Sequence, residues 1–226
     1  LLEQALELEP GYGLAAALAA WAHAQQIAYN WTDDFAAERA AGERLIEKAT
    51  MTVPDDPMAL TALAAAMTLL GLDVEHGLRL VDRALALDPN CAWAWMRRGF
   101  GLVYTGRPEE GLAAFEQAAR LSPLDPFGFN VHIGSGLANF AAGRPDAAVQ
   151  LVQRALAERP GLTWPYRDIA VYYGHLGETA KAREALEKFV YLRPIVTLAT
   201  IADGLRFMRP PLLDKYLQGL RLAGLQ

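Results

Sequence analysis

The stretch "RRGFGLVYTG", residues 97–106, holds three glycines, the first two spaced as Gly99-Phe100-Gly101. A dinucleotide-binding fingerprint needs a further glycine three residues after the second, between a strand and a helix. Position 104 is Tyr. Upstream lies "NCAWAWM", and downstream "RPEEGLAAFEQAARLSP", a helical pattern opened by Pro and acids. No strand is expected on either side, so the phosphate-loop reading fails. Gly99 is read instead as a point where two helices touch, Gly106 as the turn between them, and Gly101 as an exposed or loosely packed helix residue.

Working outward, the same pattern recurs. Leu- and Ala-rich segments end at Pro10, Pro54, Pro89, Pro123, Pro160 and Pro194, at intervals of 44, 35, 34, 37 and 34 residues. Five residues before each proline sits Ala5, Ala49, Ala84, Ala118, Ala155 or, in the last case, Phe189. Seven residues further back sits Gly42, Gly77, Gly111, Ala148 or Ala182. Gly71, Gly106, Gly143 and Gly177 mark turns inside the units. Small residues let antiparallel helices approach, and large neighbours such as Trp95 and Phe115 fill the gaps. Asp56-Pro57 and Asp125-Pro126 read as an N-cap followed by a first-turn proline.

A period of about 34 residues with this register resembles the tetratricopeptide repeat, a helix–turn–helix unit. The resemblance covers residues 1–194 and implies an all-α, right-handed solenoid of about five helix pairs. Residues 1–10 form a partial unit, and full units span 11–54, 55–89, 90–123, 124–160 and 161–194. Helices are expected at 1–8, 12–29, 34–50, 57–70, 74–87, 92–105, 108–121, 127–142, 145–158, 163–176 and 179–192. The first full unit is about ten residues too long, and its surplus lies in "QQIAYNWTDDF", which lengthens its first helix and turn. Residues 195–226 are read as a terminal segment that is weakly helical at first and then forms an amphipathic capping helix.

Bulk numbers bound the function. The 226 residues are 53 % hydrophobic, enough for a core. Lys plus Arg is 21 against 26 Asp plus Glu, a formal charge of −5 that argues against non-specific nucleic-acid binding. The single Cys91 fits a reducing, cytoplasmic setting. The most apolar run is interrupted by His23, Gln25 and Gln26, so neither a membrane span nor a signal peptide is expected. The chain opens at Leu1 in mid-pattern, which suggests a piece of something longer. The apolar face near Leu1, Leu2 and Leu6 offers a homodimer contact.

A narrower resemblance rests on "NWTDD", "RLSPLDP", "ALAERP" and the tail "RPPLLDKYLQGLRLAGL". These look like the helical C-terminal region of bacterial signalling proteins with an upstream class III adenylate/guanylate cyclase domain, or in relatives a winged-helix DNA-binding domain. The resemblance implies a regulatory region and no catalytic residue in this chain.

Chemistry is not expected from the residues either. His23, His76, His132 and His175 lack metal-ligand spacing, so no metal or cofactor is assigned. "HIGSG" misses the nucleophile-elbow pattern. Asp33-Asp34 and Asp55-Asp56 are better helix caps than acid–base pairs. Asn30-Trp31-Thr32 is a glycosylation sequon, relevant only to a secreted chain. The binding candidate is a concave groove lined by the first helices: Trp93, Met96, Arg97, Phe100, Tyr104, Asn130, Ile133, Leu137, Trp164, Arg167, Asp168 and His175. Trp, Tyr and Arg are enriched at hot spots. The alternative for each is a place in the core between helices. The expected partner is a protein or peptide, or a domain of the same polypeptide.

Overall fold

A computed structural model describes residues 1–53, 55–192 and 196–226. Pro54 and Pro194, two of the prolines that set the period, lie outside the described residues. The described residues form thirteen helices and no strand. A short α1 (Leu2–Leu8) precedes five pairs: α2 (Gly13–Ala28) with α3 (Phe35–Thr52), α4 (Pro57–Leu69) with α5 (Val74–Leu87), α6 (Ala92–Tyr104) with α7 (Pro108–Leu121), α8 (Phe129–Ala141) with α9 (Pro145–Glu158), and α10 (Pro165–His175) with α11 (Thr179–Leu192). Then come α12 (Leu198–Gly204) and α13 (Pro210–Ala223).

The turns follow from the glycines. Gly106 sits at φ 84°, a left-handed conformation that only glycine adopts freely. It lets the Arg107 N–H reach Leu102 O (2.8 Å) and its own N–H reach Val103 O (3.1 Å), which ends α6. Gly71, Gly143 and Gly177 repeat the device at φ 69°, 83° and 73°. The second helices α3, α5, α7 and α9 start on side-chain caps or prolines. Asp73 accepts from the His76 N–H at 2.8 Å, and Pro108 and Pro145 open α7 and α9. Asp125 does not cap α8. It accepts from the Phe127 N–H (2.8 Å), and the chain makes one further turn before α8 starts at Phe129.

Gly99 is a close contact, as the register requires: a Cβ there would stand 2.7 Å from the Phe115 ring of α7. Gly101 is not exposed. It is buried against α5, where a Cβ would stand 2.8 Å from a Leu78 methyl. Residues two apart on a helix face nearly opposite sides, so α6 touches its own partner with Gly99 and the preceding unit with Gly101. Gly101→Leu and Gly99→Leu are each expected to cost about 1–3 kcal/mol through overpacking. Urea unfolding measures both, and a neutral Gly101→Leu would mean that Leu78 yields freely.

The first helices are buried almost all round. In α4 every residue from Ala59 to Leu69 is buried, although a helix lining an open groove would keep a wet stripe. Packing of α2, α3, α5 and α6 covers most of α4, and the chain's own C-terminal segment covers its end. The C-terminal carbonyls of a helix lack intrahelical donors and carry the negative end of its dipole. The segment runs along a row of such ends. Arg206 donates from Nε (3.1 Å) and Nη2 (2.9 Å) to Leu70 O at the end of α4. The Arg209 N–H donates to Tyr104 O at the end of α6 (3.0 Å). Lys215 Nζ donates to Phe140 O near the end of α8 (2.6 Å). Pro210 explains the middle contact. It keeps Arg209 extended (φ −58°, ψ 146°), which frees that N–H from any helix.

The segment also reaches the first pair. Asp203 pairs with Arg39 at 2.9 Å, and Gly204 lies so close to α2 that a Cβ would stand 2.9 Å from Ile27 O. At its other end α13 packs on α10 and α11. Gly174 and Gly219 make this approach, since a Cβ on either would stand 2.6–2.7 Å from a backbone oxygen of the facing helix.

Candidate functional site: a closed concave face

The fifth pair meets the first directly. The Tyr29 ring stacks on Trp164 (centroids 4.3 Å apart, planes at 15°), and Trp31 meets Trp164 edge-on at 5.5 Å. Arg167 Nη1 donates to Ala28 O (3.1 Å), the free end of α2, and to Asn30 Oδ1 (2.9 Å). Asn30 takes a left-handed φ of 55°, which Asn tolerates better than most side chains. Tyr29, Asn30 and Trp31 all come from the surplus of the first unit. The irregularity in the period is thus the piece that spans from the first pair to the fifth.

A buried polar chain continues from there. Arg167 Nε donates to the Tyr216 hydroxyl (3.1 Å), and that hydroxyl donates to Asp168 Oδ1. Arg167 and Asp168 are 4 % and 7 % exposed. Burial pushes the Asp168 carboxyl up, and the Arg167 charge and the Tyr216 hydroxyl pull it back down. Two charges out of water are tolerated because each has hydrogen-bond partners.

Nine of the twelve predicted groove residues line one cavity of about 50 Å³: Arg97, Phe100, Tyr104, Asn130, Ile133, Leu137, Trp164, Arg167 and Asp168. The other walls are Ala28, Tyr29 and Leu69 with Leu205, Phe207 and Met208 of the C-terminal segment. Phe207 packs on Tyr104 with ring centroids 4.6 Å apart. The remaining three predicted residues lie elsewhere. Trp93 packs on Trp21 (5.3 Å). Met96 lines a separate pocket with Ala118, Leu124 and His132. His175 Nε2 hydrogen-bonds Lys215 O (2.8 Å). The register therefore gathers most of the predicted set, on a face that the chain itself covers. Sequence reasoning missed Tyr29, Asn30, Phe207 and Tyr216. The overlong first unit was the signal for the first two, and the loss of pattern after the fifth unit for the others.

Residues 101–163 match a tetratricopeptide repeat family model, and residues 168–195 match a second model of the same repeat. These are tetratricopeptide repeats. Solved tetratricopeptide structures share the fold. The type IV pilus biogenesis factor PilW aligns at TM-score 0.61 and 19 % identity, covering 87 % of this chain and 90 % of its own. A thermophilic tetratricopeptide protein of Thermus thermophilus aligns at 0.60 and 23 %, covering 82 % and 92 %. PilF of Pseudomonas aeruginosa aligns at 0.56 and 19 %, covering 90 % and 87 %. At these identities the likeness concerns the fold. Among curated proteins none matches the sequence. A tetratricopeptide scaffold is suited to protein–protein contact, and among the described residues no helix is long and apolar enough to cross a membrane.

Proposed function

We propose that this chain is a protein-interaction and regulatory module without chemistry of its own, working in the cytoplasm as the C-terminal part of a larger bacterial signalling protein. One observation carries the reading. Of the segments that give the resemblance to cyclase-linked regulators, "NWTDD" and the tail take part in closing the solenoid, and the other two pack next to them. Asn30 and Trp31 of "NWTDD" meet Trp164 and Arg167. Ala155 of "ALAERP" lies in the same apolar cluster as Trp164, Phe129 and Ile133. Arg159 of "ALAERP" donates to Pro126 O of "RLSPLDP" at 2.8 Å. The tail supplies α13, with Tyr216 and Lys215.

On this reading the concave residues hold an internal segment, and an outside partner, protein or peptide, docks on another face. The end between α7 and α8 offers one. Leu124 is 94 % exposed and Phe127 is 63 % exposed, and Leu124 borders a surface pocket of about 430 Å³ that also includes Met96, Val131 and His132. Two exposed apolar side chains beside a pocket suit a hot-spot contact.

The test has two steps. Intact mass and N-terminal sequencing of the native polypeptide should show about 20 kDa or more of upstream sequence, the size of a further domain. If that domain is a cyclase, deleting residues 1–226 should change its rate, and Leu124→Asp with Phe127→Asp should do the same at unchanged stability. A cyclase rate indifferent to the deletion defeats the regulatory reading. A winged-helix sequence upstream would move the same module to a transcription regulator, with DNA affinity as the readout.

A further inference from the structure

Arg97 is a buried cation that has no counter-charge among the described residues. It is 8 % exposed and lines the cavity of about 50 Å³. Among the described residues no carboxylate pairs with it, and its buried Nε has no hydrogen-bond partner. Its only specific company is aromatic: the guanidinium carbon lies 5.2 Å from the Phe100 ring centroid and 6.0 Å from that of Trp21. Such contacts offset part of the cost of burying a cation, but they supply no acceptor for its N–H groups. The other ionisable groups of the cavity do not help. Asp168 is engaged by Arg167 and Tyr216, and burial pushes the hydroxyls of Tyr29 and Tyr104 up, so both stay neutral. The walls therefore carry two guanidinium groups against one carboxylate. Burying most of a cation with one donor unpaired is costly unless an acceptor reaches it.

We propose that this narrow cavity binds a small monovalent anion, a halide or a formate-sized carboxylate, against Arg97. Charge sets the sign of the ligand, and volume sets its size. About 50 Å³ holds roughly three water-sized groups. That suits a free ion or a bare carboxylate, whereas a peptide side chain would need the segment at Leu205, Phe207 and Met208 to leave. Arg97 supplies the charge and N–H donors. The inference rests on the cavity alone and stands whether or not the regulatory reading does.

The purified chain would be melted in sodium chloride, sodium formate and sodium gluconate at equal ionic strength, beside Arg97→Met. A ligand that binds only the folded state raises the midpoint, by about 3–6 °C for each tenfold of ligand above its dissociation constant in a chain of this size. The expected result is a higher midpoint in chloride or formate than in gluconate for the wild type, and no such difference for Arg97→Met. Arg97→Met should also melt above the wild type in gluconate, since it removes the unpaired charge. Equal midpoints for the wild type in all three salts, or the same differences in the variant, overturn the proposal. Should Arg97→Met fail to fold, chloride NMR linewidths on the wild type decide. Excess broadening that formate abolishes and gluconate leaves supports the site, and no broadening rejects it. Broadening abolished equally by gluconate also rejects it, because the cavity would then be open to large carboxylates.

Discussion

Arg167→Met lowers the unfolding free energy by about 3–5 kcal/mol, the usual cost of removing one partner from a buried charged network. Methionine keeps most of the apolar stem, so the loss reports hydrogen bonds and charge. Four groups lose a donor or counter-charge at once: Ala28 O, Asn30 Oδ1, the Tyr216 hydroxyl and the Asp168 carboxylate. They belong to the first pair, the fifth pair and the C-terminal helix, so the loss is shared by the whole closure. Urea unfolding, followed by helix content, measures it. The double variant Arg167→Met with Asp168→Asn separates charge from hydrogen bonding and should recover part of the loss, because it no longer buries a lone carboxylate. A single variant within about 1 kcal/mol of the wild type would mean that the network contributes little.

Trp164→Ala should cost about 3–5 kcal/mol as well, by a different route. Trp164 is buried against Phe129, Ile133 and Ala155 on one side and against Tyr29 and Trp31 on the other. Alanine leaves a large cavity between the first and fifth pairs, which are not chain neighbours and are not expected to collapse into it. Trp164→Phe, which keeps an aromatic face for Tyr29, should restore more than half of the loss. The comparison distinguishes a core role from a binding role. A groove residue waiting for a partner would leave stability nearly unchanged on substitution and alter only affinity.

Much of the fold was legible because it is periodic. Gly106 and its three counterparts announce left-handed turns, and Pro108 and Pro145 announce helix starts. The predicted helix at 108–121 is observed as Pro108–Leu121, and that at 74–87 as Val74–Leu87. Gly101 was misread because one helix face was considered where two are packed. The closure left no periodic trace. Tyr29 and Trp164 are brought together by the superhelical path of all five pairs; the surplus of the first unit marks Tyr29, but nothing local at Trp164 records the contact. The C-terminal segment hides for another reason. Its main contacts run from Arg206, Arg209 and Lys215 to backbone carbonyls, and a carbonyl looks the same behind every side chain. The sequence thus indicates which residues face inward. Whether that face is wet depends on the path of residues 196–209, where the pattern stops.

The account turns on that path, and one amide tests it. The Arg209 N–H sits outside any helix and its acceptor is Tyr104 O, across the concave face. Amide hydrogen exchange followed by NMR reads it directly. Docking of the segment predicts slowing of about a thousandfold or more at Arg209, comparable with the amides of α6, because exchange then needs at least the segment to detach. Exchange of the Arg209 amide at the rate of an unstructured peptide, while α4 and α6 stay protected, would contradict it and leave the concave face open to an outside ligand.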